Sequence, residues 1–143
     1  LTLVIGYDEA VAKWVQSHIP HAVNGFGPCV ALGMAIDDVL IAGVVYHEYR
    51  PAYRSVQMSI AAVSPKWATK GNLRAIFAYP FLDLKANRVT AITPKRNRRA
   101  RHLIEGTGFK LEGCARRGFL SDDAVIYGML RDECRWIDGR VEH

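Results

Sequence analysis

The segment Asn97–Gly113, NRRARHLIEGTGFKLEG, constrains the fold more than any other part of the chain. Ala100, Leu103 and Ile104 recur at helical spacing among polar and basic residues, which predicts a helix with one packed face and one wet face. Gly106 and Gly108 mark its end, where a left-handed residue is usually needed. The Gly108-Phe109 turn then leads into a short strand that holds Glu112-Gly113.

The chain has 143 residues, which predicts one domain over 1–143 with a core of useful size. Half of the residues are hydrophobic, yet no apolar run approaches a membrane span, and the N-terminus lacks the charged-then-apolar layout of a secretory signal. A start at Leu1 rather than Met leaves room for an upstream segment. Cys29, Cys114 and Cys134 cannot all pair and form no C-x-x-C unit, so they read as reduced thiols in a cytoplasmic protein. His18 and His21 lie three apart without a second ligand pair at zinc-site spacing, so no metal is expected. The net charge of +5 points to an anionic partner, and Lys95, Arg96, Arg98, Arg99 and Arg101 crowd together without interleaved acids.

Leu1–Ile5 reads as a strand, and Asp8 as the cap of a helix to about Ser17 with Val11, Trp14 and Val15 buried. Pro20–Pro28 is a loop. Val30–Ile36 and Val39–Tyr46 form a hairpin around Asp37-Asp38, and Ser55–Val63 alternates as a third strand. A helix follows Thr69 with Leu73, Ile76, Phe77 and Phe81 on one face, and Pro80 should kink or split it. Arg88–Ile92 is a buried strand before the Asn97 helix, and Phe109–Phe119 and Ala124–Trp136 close the chain as two antiparallel strands. The order is that of an α/β sandwich with a mixed sheet.

Val63-Ser-Pro-Lys-Trp-Ala-Thr-Lys-Gly-Asn-Leu73 joins a predicted strand to a predicted helix. A helix N-terminus offers unpaired amides and a positive dipole end to phosphate. Together with Asn97–Gly113, and in the same order, this segment resembles the GNAT acetyltransferase superfamily. Its patterns there are V-x-P-x-x-[RQ]-x-x-G-x-[GA], then N-x-x-A-x-x-L-x-x-x-x-G-F followed by E-G. The chain keeps Val63, Pro65 and Gly71 but has Ala68 where Arg or Gln is usual and Leu73 where a small residue is usual. Lys66, Lys70 and Arg74 compensate in charge, not in shape. The match runs from about Val30 to Trp136.

The resemblance implies an α/β, single-domain GNAT-like fold with a mixed, mostly antiparallel central sheet flanked by helices. It implies an acetyl-CoA-dependent N-acetyltransferase, which passes an acetyl group to a primary amine by direct attack. Val63, Ala68, Thr69, Lys70, Gly71, Asn72, Leu73 and Arg74 would then hold the pyrophosphate, and the Ile60–Val63 backbone the pantetheine arm. Asn97 would bond the cofactor, and Arg98 or Arg101 the CoA phosphates. Read without the family, the loop is an ordinary strand-to-helix turn and Asn97 a helix cap. The ending Glu112, Gly113, Arg116 or Arg117, Asp123 and Tyr127 resembles the subgroup that acetylates ribosomal-protein N-termini, and phage and prophage members.

Acyl transfer to an amine needs a base, an oxyanion stabiliser and an acid for the leaving thiolate. The family's usual tyrosine acid falls on Ile104, which has no proton to give, so that role is either empty or filled elsewhere, with Tyr127 and Ser121 as candidates. The strand before the loop offers Gln57 and Ser59, neither a useful base, which leaves Glu48 or His47 at the end of the preceding strand. A second reading keeps the fold and turns the basic surface toward nucleic acid, with Tyr46, Tyr49 and Tyr53 set among His47, Arg50 and Arg54; that stretch also suits an acceptor site. A third is assembly as a homodimer through an edge strand holding Ile126, Met129 and Leu130.

Overall fold

Alternation at period two divides the interior into two cores. On β3 (Val39–Arg50), Val44 and Tyr46 enter the larger core while Val45 enters the smaller one, so the cores lie on opposite faces of the sheet. The structure is a computed structural model that describes residues 1–19, 22 and 24–137. Pro20, His21 and Val23, read from sequence as loop and in part as a metal-ligand candidate, lie outside the described residues.

The remaining elements are β1 (Thr2–Ile5), α1 (Asp8–His18), β2 (Cys29–Ile36), β4 (Ser55–Ala62), α2 (Lys70–Ala78), β5 (Arg88–Pro94), α3 (Arg98–Thr107), β6 (Lys110–Phe119) and β7 (Asp122–Leu130). They build one seven-stranded sheet in the order β1-β2-β3-β4-β5-β7-β6. Every neighbouring pair is antiparallel except β4–β5, which is parallel. The small core, with Val11 and Val15 of α1 against Val45 and Ala61, seats α1 on one face. On the other face, Leu73, Ile76 and Phe77 of α2 and Ile104 of α3 close over Val56, Met58, Val89 and Tyr127. This is the α/β fold with a mixed, mostly antiparallel sheet that the sequence implied. No helix among the described residues is long and apolar enough to cross a membrane.

Three local readings change, and the expected break at Pro80 holds. Asp8 is the first residue of α1 rather than its cap, and its Oδ1 accepts from the Ala31 amide at 2.9 Å, tying the helix start to β2. Pro80 does end α2: the α-helix stops at Ala78, and Tyr79–Asp83 forms a wider turn in which the Leu84 amide reaches the Tyr79 carbonyl at 3.0 Å. β3 runs on to Arg50 through a register shift at Glu48, whose φ is 51°. β7 ends at Leu130 and lies between β5 and β6, so Ile126, Met129 and Leu130 belong to an interior strand and β6 forms the sheet edge.

The parallel pair positions the site. β4 and β5 are joined only at Ser55–Arg88, Val56–Val89 and Gln57–Thr90. Beyond these residues β4 continues to Ala62 and β5 to Pro94 without pairing each other, and the sheet opens.

Candidate active site

The opening is a cleft of about 620 Å³. Met58–Ala62 of β4 and the following Val63 form one wall and Ala91, Ile92 and Thr93 of β5 the other. Leu73, Ile76 and Phe77 of α2, with Leu103 and Ile104 of α3, supply apolar surface, and His18 and Ile19 also line it. Among the described lining residues there is no carboxylate, and Arg99 brings a cation. The cleft therefore suits a long, partly apolar ligand with an anionic end.

At its mouth the phosphate-type loop is built mostly by its own hydrogen bonds. Ser64 Oγ accepts from the Lys66 amide, the Ala68 amide donates to Pro65 O, and the Thr69 amide donates to Trp67 O. Thr69 is the cap of α2, with its Oγ1 accepting from the Asn72 amide at 3.1 Å. The Asn72 side chain is buried and donates to Trp67 O at 2.8 Å, so it fastens the loop from below. Lys70 and Gly71 occupy the first turn, where amides have no intrahelical acceptor. A Cβ added at Gly71 would meet nothing within 4 Å, so the space above that turn is open. Val63 and Leu73 line the cleft; Ala68, Thr69, Lys70, Gly71, Asn72 and Arg74 lie outside its lining. Leu73 is buried against the core, so its bulk fills the floor beside the helix start.

The basic helix serves two surfaces. Asn97 caps α3 through Oδ1 and the Ala100 amide at 3.1 Å and also reaches the cleft, as do Arg99 and His102. Arg98 and Arg101 do not: with Lys95, Arg96 and Arg117 they line a separate depression of about 810 Å³ beside the β6–β7 turn, where Ser121, Asp122 and Asp123 also lie. Arg101 is held there, with its Nε donating to Tyr127 Oη at 3.0 Å. Arg99 and His102 were missed in the sequence, although Arg99 lies one turn before Leu103 and so toward the packed side.

The three residues read as catalytic are not brought to the cleft. Tyr127 is fully buried under α3 and donates to Glu105 at 2.6 Å, and burial together with that bond pushes its phenol above the usual range. Ser121 sits in the exposed turn on the other depression. Glu48 is exposed at the β3 bulge, 3.4 Å from Arg50. Tyr49 and Tyr53 are exposed and Tyr46 is buried with its hydroxyl on Ile76 O, so that stretch supplies nothing to the cleft lining.

His47 behaves differently from its neighbour. It is buried, and burial outweighs the Glu48 carboxylate to hold its imidazole below the ordinary range. The neutral form is thus the folded form: the associated stability is complete above about pH 6.5 and declines as the pH falls toward the lowered folded value. Thermal melts should show a lower midpoint at about pH 5.5 than at about pH 7.5, and His47→Gln should shrink that difference.

The sequence matches no family model and no curated protein. Solved structures do resemble it. One, a "probable acetyltransferase", aligns with a TM-score of 0.65 and 24% identity, covering 75% of this chain and 64% of its own length. Spermidine N-acetyltransferase SpeG from Vibrio cholerae, as an F149A mutant, aligns at 0.67 with 18% identity over 92% of this chain and 96% of its own. The same enzyme in complex with manganese ions aligns at 0.65 with 18% identity, over 92% of each chain. Among the described residues here, no group of three or more His, Cys, Asp or Glu is placed to hold a metal. These alignments, all under 25% identical, show a shared fold: the protein has the single-domain GNAT acetyltransferase fold.

Proposed function

We propose that the protein is an acetyl-CoA-dependent N-acetyltransferase acting on a primary amine. The carrying observation is the parting of β4 and β5, which opens a carboxylate-free cleft ending near the first turn of α2. The unpaired side of β4 from Met58 to Ala62 offers backbone groups to an amide-bearing arm, and the open turn at Lys70 and Gly71 offers amides to a pyrophosphate. Arg99 and His102 replace Arg98 and Arg101 as the side chains on the ligand's path.

The amine would approach from the α1 side, past His18 and Ile19. The motif that resembles the ribosomal-protein subgroup is otherwise engaged: Glu112 pairs with Arg88 at 2.7 Å, Asp123 accepts from the Arg117 amide, and Tyr127 bonds Glu105. The acceptor is therefore named by class alone. The division of the α3 cations between two surfaces speaks against a continuous stripe for a nucleic-acid backbone.

Calorimetry with acetyl-CoA tests the reading. Saturable binding is expected, and Gly71→Glu should weaken it at least about tenfold, equivalent to about 1.4 kcal/mol, by placing an anion where the pyrophosphate would lie. The open space above Gly71 lets that variant fold. No binding at millimolar acetyl-CoA, or equal binding by the variant, would sink the proposal.

A further inference from the structure

His47 on β3 and Ser59 on β4 lie diagonally across an antiparallel pair, with Val45 opposite Ser59 and His47 opposite Gln57. They share the sheet face that α1 covers, because Val45 and Ala61, at the same parity, belong to the α1 core. His47 Nε2 is 2.9 Å from Ser59 Oγ. His47 is 7% exposed, with the Phe26 ring centred 5.0 Å away, whereas Ser59 is partly buried and lines the cleft. A buried imidazole thus stands directly behind a hydroxyl on the cleft wall.

Resting on the acyl-transfer reading above, we propose that Ser59 and His47 together form the base that deprotonates the acceptor amine. Ser59 is the catalytic residue that touches the amine, and His47 acts through it as a positioning and proton-holding residue. Ser59 Oγ takes one proton from the acceptor ammonium as its own hydroxyl proton passes to His47 Nε2, which becomes imidazolium. The freed nitrogen lone pair bonds to the acetyl carbon, the carbon–sulfur bond breaks, and the nitrogen's surplus proton leaves with the sulfur as thiol. The products are an amide, a thiol and one proton on His47, later released to water.

A serine hydroxyl alone is far too weak a base near neutral pH, and an imidazole behind it corrects that. The surroundings keep that imidazole neutral and ready. Burial lowers its proton affinity, opposed only in part by Glu48 on the same strand. Across the strands it meets Cys29 of β2, a thiol whose ionisation burial and Asp8 also disfavour, and Gln57 and Ser59 of β4, which carry no charge. On α1 the nearby titratable groups are Asp8, whose carboxylate accepts from the Ala31 amide, and His18, which lines the same cleft.

The test compares wild type, His47→Gln and Ser59→Ala. Acetyl-CoA is supplied with an equimolar mixture of spermidine, lysine ethyl ester and a seryl peptide, and CoA release is followed from about pH 5 to about pH 9. Wild-type kcat/KM should rise through an inflection below about pH 6.5. Both variants should lose roughly 100-fold, and His47→Gln should lose the inflection. Acetyl-CoA affinity and the melting midpoint at about pH 7.5 should stay near wild type, which separates lost chemistry from lost fold. Hydroxylamine, already neutral at pH 7, should be acetylated by His47→Gln nearly as fast as by wild type. Variants that keep the wild-type profile, or that lose amine and hydroxylamine rates together, overturn the assignment. Acetyl-CoA binding without CoA release from any of the three amines overturns it too, while absence of acetyl-CoA binding overturns the acyl-transfer reading itself.

Discussion

Phe77→Ala should cost about 3–5 kcal/mol of folding stability, the range for deleting a buried aromatic ring. Phe77 is 1% exposed, and its ring lies between those of Phe81, 6.4 Å away and nearly parallel, and Phe109, 6.0 Å away and tilted. Phe81 closes the wide turn after α2 and Phe109 follows the turn after α3, so one side chain links the ends of both helices. The pocket left by alanine cannot collapse easily, because Ile76 and Leu73 are fixed on the same helix and the sheet lies beneath. Chemical denaturation should show the midpoint falling with its slope unchanged. Phe77→Leu should cost distinctly less, since it keeps most of the volume. A loss under about 1 kcal/mol for alanine would mean that the two helices are not joined through this ring.

Gly43→Val should destabilise by about 3 kcal/mol, through crowding rather than loss of contact. Gly43 and Gly33 are partners in the β2–β3 register, beneath α1. A Cβ at Gly43 would stand 2.6 Å from Val15 Cγ2 and 3.1 Å from Val11 Cγ1, both on stiff β-branched side chains that are fully buried. The sign is informative, because valine normally favours a strand over glycine. Relief requires α1 to lift off the sheet, and the end of α1 carries His18 and Ile19 to the cleft. Thermal melts together with far-ultraviolet helicity would measure it; a variant as stable as wild type would show that α1 is not held at this distance.

Much of the architecture was legible because it rests on local rules. The strands alternate, Thr69 and Asn97 cap as their side chains dictate, and Gly108 ends α3 at φ 113°, a conformation suited to glycine. Asp8 was misplaced because its partner, the Ala31 amide, is 23 residues away and invisible to local reasoning. β7 looked like an edge because its strand order depends on β6 folding back outside it.

The site was harder to read for a related reason. A run of basic residues does not reveal which face of a helix each one joins, and Arg98 and Arg99 go to different surfaces. Tyr127 was attractive by residue type, but the fold surrounds it with Glu105 and Arg101. Ser59 was set aside as a poor base on its own, and the missing term was a diagonal contact to His47 that only strand register supplies.

The parted strands carry a thermodynamic consequence. A continuous sheet would have satisfied the inner edges of β4 and β5 with each other; here pairing stops at Gln57 and Thr90. The two strands thus present facing rows of peptide groups that do not pair with each other, a defect that folding tolerates because the core holds both strands from behind. Sequence changes that zipped the seam shut would add cross-strand bonds and close the cleft. Local frustration at this seam is the physical form of the opening on which the proposed binding rests.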